Sequence, residues 1–165
     1  MLLPLNYCFI MNKKFRFVVL LFASLMMVGT MMSCSDDDND KDIETAITVS
    51  NLPQKAQTFI TDYYPMAKVL SVTKELDHGV VLYDVDFTDG QEIVFNADGE
   101  WVEVDAPDGH SIPSGIIPSA IEEYLNTNYQ NYGVNDITRT ADGYEVELVS
   151  GVDMFFDAQG DFIRF

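Results

Sequence analysis

The chain has 165 residues, enough for one ordinary domain or two very small ones. Its formal net charge of −18 and pI near 4.1 repel nucleic acid and anionic headgroups, and no basic patch reverses this. With 47% hydrophobic and 12% aromatic residues, the acidity does not come from a disordered polyelectrolyte, and a folded core is expected.

The first predicted element is a targeting segment. Lys13, Lys14 and Arg16 precede an apolar run from Phe17 to Val28, too short for a membrane span and patterned like a secretory signal. Met11 is a plausible true start. Met31-Met32-Ser33-Cys34 resembles the lipobox of bacterial lipoproteins, which implies a signal peptide over 1–33 and a lipidated Cys34, with an incidental Cys after an ordinary cleaved signal as the alternative. Loss of residues 1–33 removes three cations and no acids, taking the charge from −18 to −21, and with Cys34 acylated it leaves no disulfide or Cys nucleophile. The run "SDDDNDKD" that follows has nothing to bury and reads as an acidic tether over 34–49. It also resembles the export signal of surface-displayed lipoproteins in Bacteroides-type bacteria. A calcium loop there lacks the turn glycine and the closing Glu.

From Ser50 onward the chain is duplicated. At an offset of 65, Pro53 aligns with Pro118, Phe59 with Tyr124, Ile60 with Leu125 and Val72 with Ile137. After a four-residue deletion in the second copy the offset becomes 61, aligning Tyr83 with Tyr144, Gly90 with Gly151, Phe95 with Phe156, Gly99 with Gly160 and Trp101 with Phe162. Units of about fifty residues are marginal alone, so the two are expected to share or abut a core. Each opens with a helix started by Pro53 or Pro118. The strands of the first copy are predicted at 69–74, 82–88, 92–96 and 101–104. Those of the second fall at 134–140, 144–149, 153–157 and 162–165. The expected fold is α+β: two tandem units, 50–105 and 114–165, joined by a linker over 106–113. Each unit is one helix packed on a four-stranded antiparallel meander.

Registers follow from the turns. A two-residue turn at Asp98-Gly99 puts Phe95 opposite Val102 and Ile93 opposite Val104. The equivalent turn at Gln159-Gly160 puts Phe156 opposite Ile163 and Met154 opposite Phe165. These pairs form the face under the helix. The other face then carries Asp84, Asp86, Glu92, Val94, Asn96, Trp101 and Glu103, and in the second copy Glu145, Glu147, Asp153, Phe155, Asp157, Phe162 and Arg164. Val94, Trp101, Phe155 and Phe162 are apolar residues in a field of carboxylates, the composition of a binding surface. The alternative is that they pack the two units together or lie beneath the linker.

The helices with "L/I-P…F-I…Y-Y" and the hairpins "Y-x-V-x-F…G-x-x-I-x-F-x-x-x-G-x-W" resemble the PepSY-like, β-lactamase-inhibitor-protein-like family, lipoproteins common among gut Bacteroides relatives. The resemblance covers about Ser50 to Phe165. It implies helix-on-sheet units in tandem and a secreted, non-enzymatic role as a protein-binding or inhibitory module. β-Lactamase inhibition itself is not implied.

No enzymatic constellation emerges. His78 and His110 lie in glycine-containing loops with no ligand partner at metal spacing. "DVDFTDG" from Asp84 to Gly90 misses the EF-hand template by one residue and has Phe95 at the closing position. Ser111 and Ser114 lack nucleophile-elbow glycines. The sequence thus leads to an expected outer-membrane lipoprotein, facing the cell surface or the periplasm, with no cofactor and no metal. Its protein partner, basic by complementarity, is expected to meet Trp101, Phe162, Val94, Phe155, Asp84, Asp86, Glu145 and Glu147. A small-ligand or cation-binding envelope lipoprotein and a structural envelope protein are the alternatives.

Overall fold

In the computed structural model the described residues are 43–77, 79–129 and 131–165. The signal segment, Cys34, most of the acidic tether and His78 lie outside them. Within them a single antiparallel sheet runs through nine strands in chain order: β1 (Ile43–Ala46), β2 (Val69–Asp77), β3 (Val80–Phe87), β4 (Glu92–Asn96), β5 (Trp101–Asp105), β6 (Val134–Arg139), β7 (Gly143–Leu148), β8 (Asp153–Asp157) and β9 (Phe162–Arg164). Two helices, α1 (Gln54–Tyr63) and α2 (Ser119–Asn128), follow Pro53 and Pro118. The fold is α+β, but the two expected four-stranded sheets are one. β5 pairs with β6 through Glu103↔Thr138, Val104↔Ile137 and Asp105↔Asp136. β1 is an additional strand, formed by residues that the sequence reading had placed in the tether.

Strand alternation separates two faces. On one, Val72, Val85, Ile93, Val104, Ile137, Val146 and Met154 stand side by side on seven consecutive strands, each buried. Both helices cover this face. Ala56 and Ile60 of α1, and Ile121 and Leu125 of α2, at spacings of four residues, point into one shared core. The helix contacts repeat as the sequence does: Phe59 meets Phe95 edge-on at 5.6 Å, and Tyr124 meets Phe156 edge-on at 5.4 Å. The linker is tied to the joint by the buried Asn135, whose amide nitrogen lies 2.9 to 3.1 Å from the carbonyls of Ala106, Pro107 and His110.

The β4–β5 hairpin corrects the expected register. Its loop has three residues, Ala97 to Gly99, because Asn96 Oδ1 accepts the N–H groups of Asp98 and Glu100 at 3.0 Å each. Gly99 closes the loop at φ +77°, a left-handed conformation. Phe95 therefore pairs with Trp101 rather than Val102, and a bulge at Val102 restores Ile93↔Val104. The second copy does the same with Asp157 Oδ1, Gly160 and a bulge at Ile163, so that Phe156 pairs with Phe162 and Phe155 with Arg164. The pairings expected for Val102 and Ile163 do not form, whereas the Phe155↔Arg164 register keeps Phe165 in line with Met154.

Candidate functional site

The one-residue change carries Trp101 and Phe162 to the helix-covered side. Trp101 is buried, with the Arg139 guanidinium 3.9 Å from its ring centroid. Phe162 stacks on Tyr124 at 4.9 Å and 7°. Both are packing residues of the core, so neither presents its ring on the face expected to meet a partner.

That face, away from the helices, is organised as two cross-strand rows. One runs Ala46, Thr73, Asp84, Val94, Glu103, Thr138, Glu145, Phe155 and Arg164, a residue from every strand. The next runs Ser71, Asp86, Glu92, Asp105, Asp136, Glu147 and Asp153, placing six carboxylates on six successive strands. At a strand spacing of about 4.8 Å this acidic row extends about 24 Å. Directly opposed like charges destabilise a sheet, so five such pairs in succession break a folding rule. Such rules are broken at functional or strained sites.

The rows are partly sunk in the sheet. Asp84 and Val94 are each only 8% exposed, while Asp86, Glu92, Glu103, Glu145, Glu147 and Phe155 are half-buried. Ser71 Oγ donates to Asp86 Oδ2 at 2.6 Å, and Thr138 Oγ1 to Asp136 Oδ1 at 3.3 Å. At the centre, burial pushes the Glu103 carboxyl up to about 8, with the charges of Asp136, Glu92, Asp105 and Asp84 adding to the rise. Phe155 is packed under the Arg164 guanidinium, 3.7 Å from its ring centroid.

The β3–β4 hairpin gathers the densest part of this surface. Asp84 and Asp86 alternate on β3, and the turn that follows brings Glu92 of β4 opposite Asp86. One carboxylate oxygen from each of the three lies within 4.8 Å of the other two, spacing that suits a shared cation. The EF-hand reading had grouped Asp84 and Asp86 with Asp89, but Asp89 turns to Gln91, accepting its Nε2 at 2.8 Å. His110 is exposed, its Nδ1 3.2 Å from the Asp108 carbonyl.

The sequence placed Asp84, Asp86, Glu92, Glu145, Glu147 and Asp153 on one face, and the structure brings them into two rows. It missed Asp105 and Asp136, which meet only because β5 pairs with β6. The available signal was the alternation "EVD" and "NDIT", unreadable as a pair while the two units were kept apart.

A duplicated helix-on-sheet module with one apolar and one acidic face defines the class of protein. The chain matches the beta-lactamase-inhibitor-like, PepSY-like family over residues 26–82 and 81–164, and it belongs to that family. Among solved structures it is similar to a periplasmic protein of the DUF2874 family from Bacteroides vulgatus, at 36% identity and TM-score 0.70, with 78% of this chain and 97% of that one covered. It is also similar to a periplasmic protein from Bacteroides thetaiotaomicron described as calcium-regulated, at 37% identity and TM-score 0.69, covering 73% of this chain and 94% of that one. A periplasmic protein of unknown function from Bacteroides vulgatus shares 36% identity, TM-score 0.69, and coverage of 75% and 98%. No curated protein matches the chain.

Proposed function

We propose that this protein is an envelope binding module that works by recognition rather than turnover, and that its acidic sheet face takes up cations, calcium first. The observation that carries this is the convergence of Asp84, Asp86 and Glu92 within 4.8 Å on the β3–β4 hairpin. Calcium takes six to eight oxygens and prefers carboxylates, and this donor set is all oxygen with no His or Cys to favour a softer metal. The 37%-identical relative described as calcium-regulated supports the same reading, and all three similar structures are described as periplasmic, which supports the envelope location. The lipid anchor at Cys34 belongs to this proposal too, as the attachment that holds the module to the outer membrane.

A second reading, a basic segment of a protein partner, is favoured by the length of the acidic row. One ion uses Asp86 and Glu92 at one end of the row with Asp84 beside them, whereas six carboxylates in line match a succession of Lys or Arg side chains.

Thermal unfolding of the chelator-treated chain with added Ca²⁺ or Mg²⁺ tests the first reading. Calcium up to about 10 mM, the weak end of extracellular sites, raises Tm more than magnesium does. Asp86→Asn combined with Glu92→Gln removes that rise while leaving the cation-free protein folded. An unchanged Tm across the calcium series, or a rise that survives the double change, refutes the site.

A further inference from the structure

The joint between the two repeats is the pairing of β5 with β6, and the duplication gives each of these strands a counterpart at an end of the sheet. On β6, the partner edge of β5 is Thr138, Ile137 and Asp136. The offset of 65 maps these residues onto Thr73, Val72 and Ser71 of β2. β1 occupies that edge: Ala46 lies opposite Thr73, and the Ile47 N–H donates to the Val72 carbonyl at 2.9 Å. Ala46 and Ile47 thus stand where Glu103 and Val104 stand at the joint. β1 is a poor substitute, because all four of its residues are exposed while those of β5 are buried or half-buried.

At the other end of the sheet, β9 is the repeat counterpart of β5. The offset of 61 maps Phe162, Ile163, Arg164 and Phe165 onto Trp101, Val102, Glu103 and Val104. Val104 is completely buried, but Phe165 is 64% exposed and Ile163 54%. Among the described residues β9 therefore carries the side chains of a joint strand at an open edge of the sheet.

We infer that β9 of one copy of this chain pairs antiparallel with β2 of a second copy, displacing its β1 and reproducing the β5–β6 joint between molecules. The register is fixed by the repeat: Arg164 falls opposite Thr73 of the second copy and Phe165 opposite Val72. Phe165 then extends the buried row that begins at Val72. Arg164 enters the row that continues through Asp84, so the position held by Glu103 at the internal joint has the opposite sign where it meets the carboxylates of another molecule. The contact is heterologous and does not close on itself, so it builds chains rather than discrete dimers.

Disulfide trapping tests this. The hydrogen-bonded Ile47/Val72 pair makes the adjacent Ala46/Thr73 position a non-hydrogen-bonded one, where Cα atoms approach about 4.5 Å, within disulfide range. Full-length chain carrying Arg164→Cys is mixed with chain carrying Thr73→Cys and oxidised, with the parent chain as the blank for Cys8 and Cys34. Linkage between the two is expected on the order of tenfold faster than to a chain carrying Cys in place of exposed Asp142, the margin of a docked pair over random collision. Adding Thr45→Pro to the Thr73→Cys chain weakens β1 and speeds linkage further, and Arg164→Cys with Thr73→Cys in one chain gives a ladder of oligomers. Equal linkage to the Asp142 position, linkage of Arg164→Cys chains only to each other, preferential linkage to an Ala46→Cys chain, or no linkage between folded variants overturns the inference.

Discussion

Glu103 offers the sharpest test of how the acidic face is built. Its carboxyl lies among Asp84, Glu92, Asp105 and Asp136, and burial with those charges raises it from 4.5 to about 8. A carboxyl raised on folding is protonated in the native chain and ionised in the unfolded one over the window from about pH 4.5 to 8. The native state then binds the extra proton, so this group's contribution to stability falls as pH rises through that window and is fully present below it. At about 1.4 kcal/mol per unit, wild type loses on the order of 3 kcal/mol from this one group between pH 5 and 7.5. Glu103→Gln keeps the shape and removes the ionisation. Urea denaturation of both chains in chelator at half-unit pH steps gives the comparison: the variant is more stable than wild type at pH 7.5, and the gap closes towards pH 5. Parallel stability curves for the two chains would refute the burial of this carboxyl and, with it, the depth assigned to the centre of the face.

Three further outcomes follow from packing. Gly99→Ala and Gly160→Ala each combine a left-handed φ with a Cβ placed 2.8 Å from Pro53 Cβ or Ala120 Cβ, and should cost about 2–4 kcal/mol by denaturation. Gly109→Ala, with φ +80° and no atom within 4 Å, should cost only about 1 kcal/mol. Trp101→Ala should destabilise by about 3–5 kcal/mol as a core deletion, whereas Phe155→Ala, half-buried beneath Arg164, should cost about 1–2 kcal/mol. Near-equal losses for that pair would return Trp101 to the open face. Asn96→Ala removes both side-chain bonds that shape the β4–β5 loop and should lower stability by about 1–2 kcal/mol.

Much of the scaffold was readable from the duplication. Pro53 and Pro118 mark the helix starts, and the strands Glu92–Asn96 and Asp153–Asp157 fall where alternation placed them. The register error came from weighing Asp98-Gly99 as a turn by itself. The deciding residue was Asn96, whose short side chain captures two backbone N–H groups and lengthens the loop by one; "NADGE" and "DAQGD" both spell this arrangement. That single residue of loop moved two aromatics across the sheet. The union of the sheets was harder to see, because strand pairing at β5–β6 spans the linker and no local pattern announces it. β1 was hidden by its acidic neighbours, although Ile43, Thr45 and Ile47 alternate as an edge strand does.

The two repeats keep the three acids of the β3–β4 hairpin but not the same electrostatics around them. Asp84, Asp86 and Glu92 recur as Glu145, Glu147 and Asp153, each carboxylate retained while its length changes. Further along the face Val94 becomes Phe155, Asn96 becomes Asp157, and Glu103 becomes Arg164. In the second repeat the guanidinium of Arg164 lies over Phe155, next in the row to Glu145, so that repeat carries its own cation. In the first, Glu103 adds another acid where Arg164 would stand. If the acidic face takes calcium, it should therefore take one equivalent, at Asp84, Asp86 and Glu92. Arg164→Glu restores the first repeat's pattern in the second and should raise the number of calcium equivalents from one to two by isothermal titration. A stoichiometry of two in wild type, or of one in a folded Arg164→Glu chain, would mean that the built-in cation is not what distinguishes the halves.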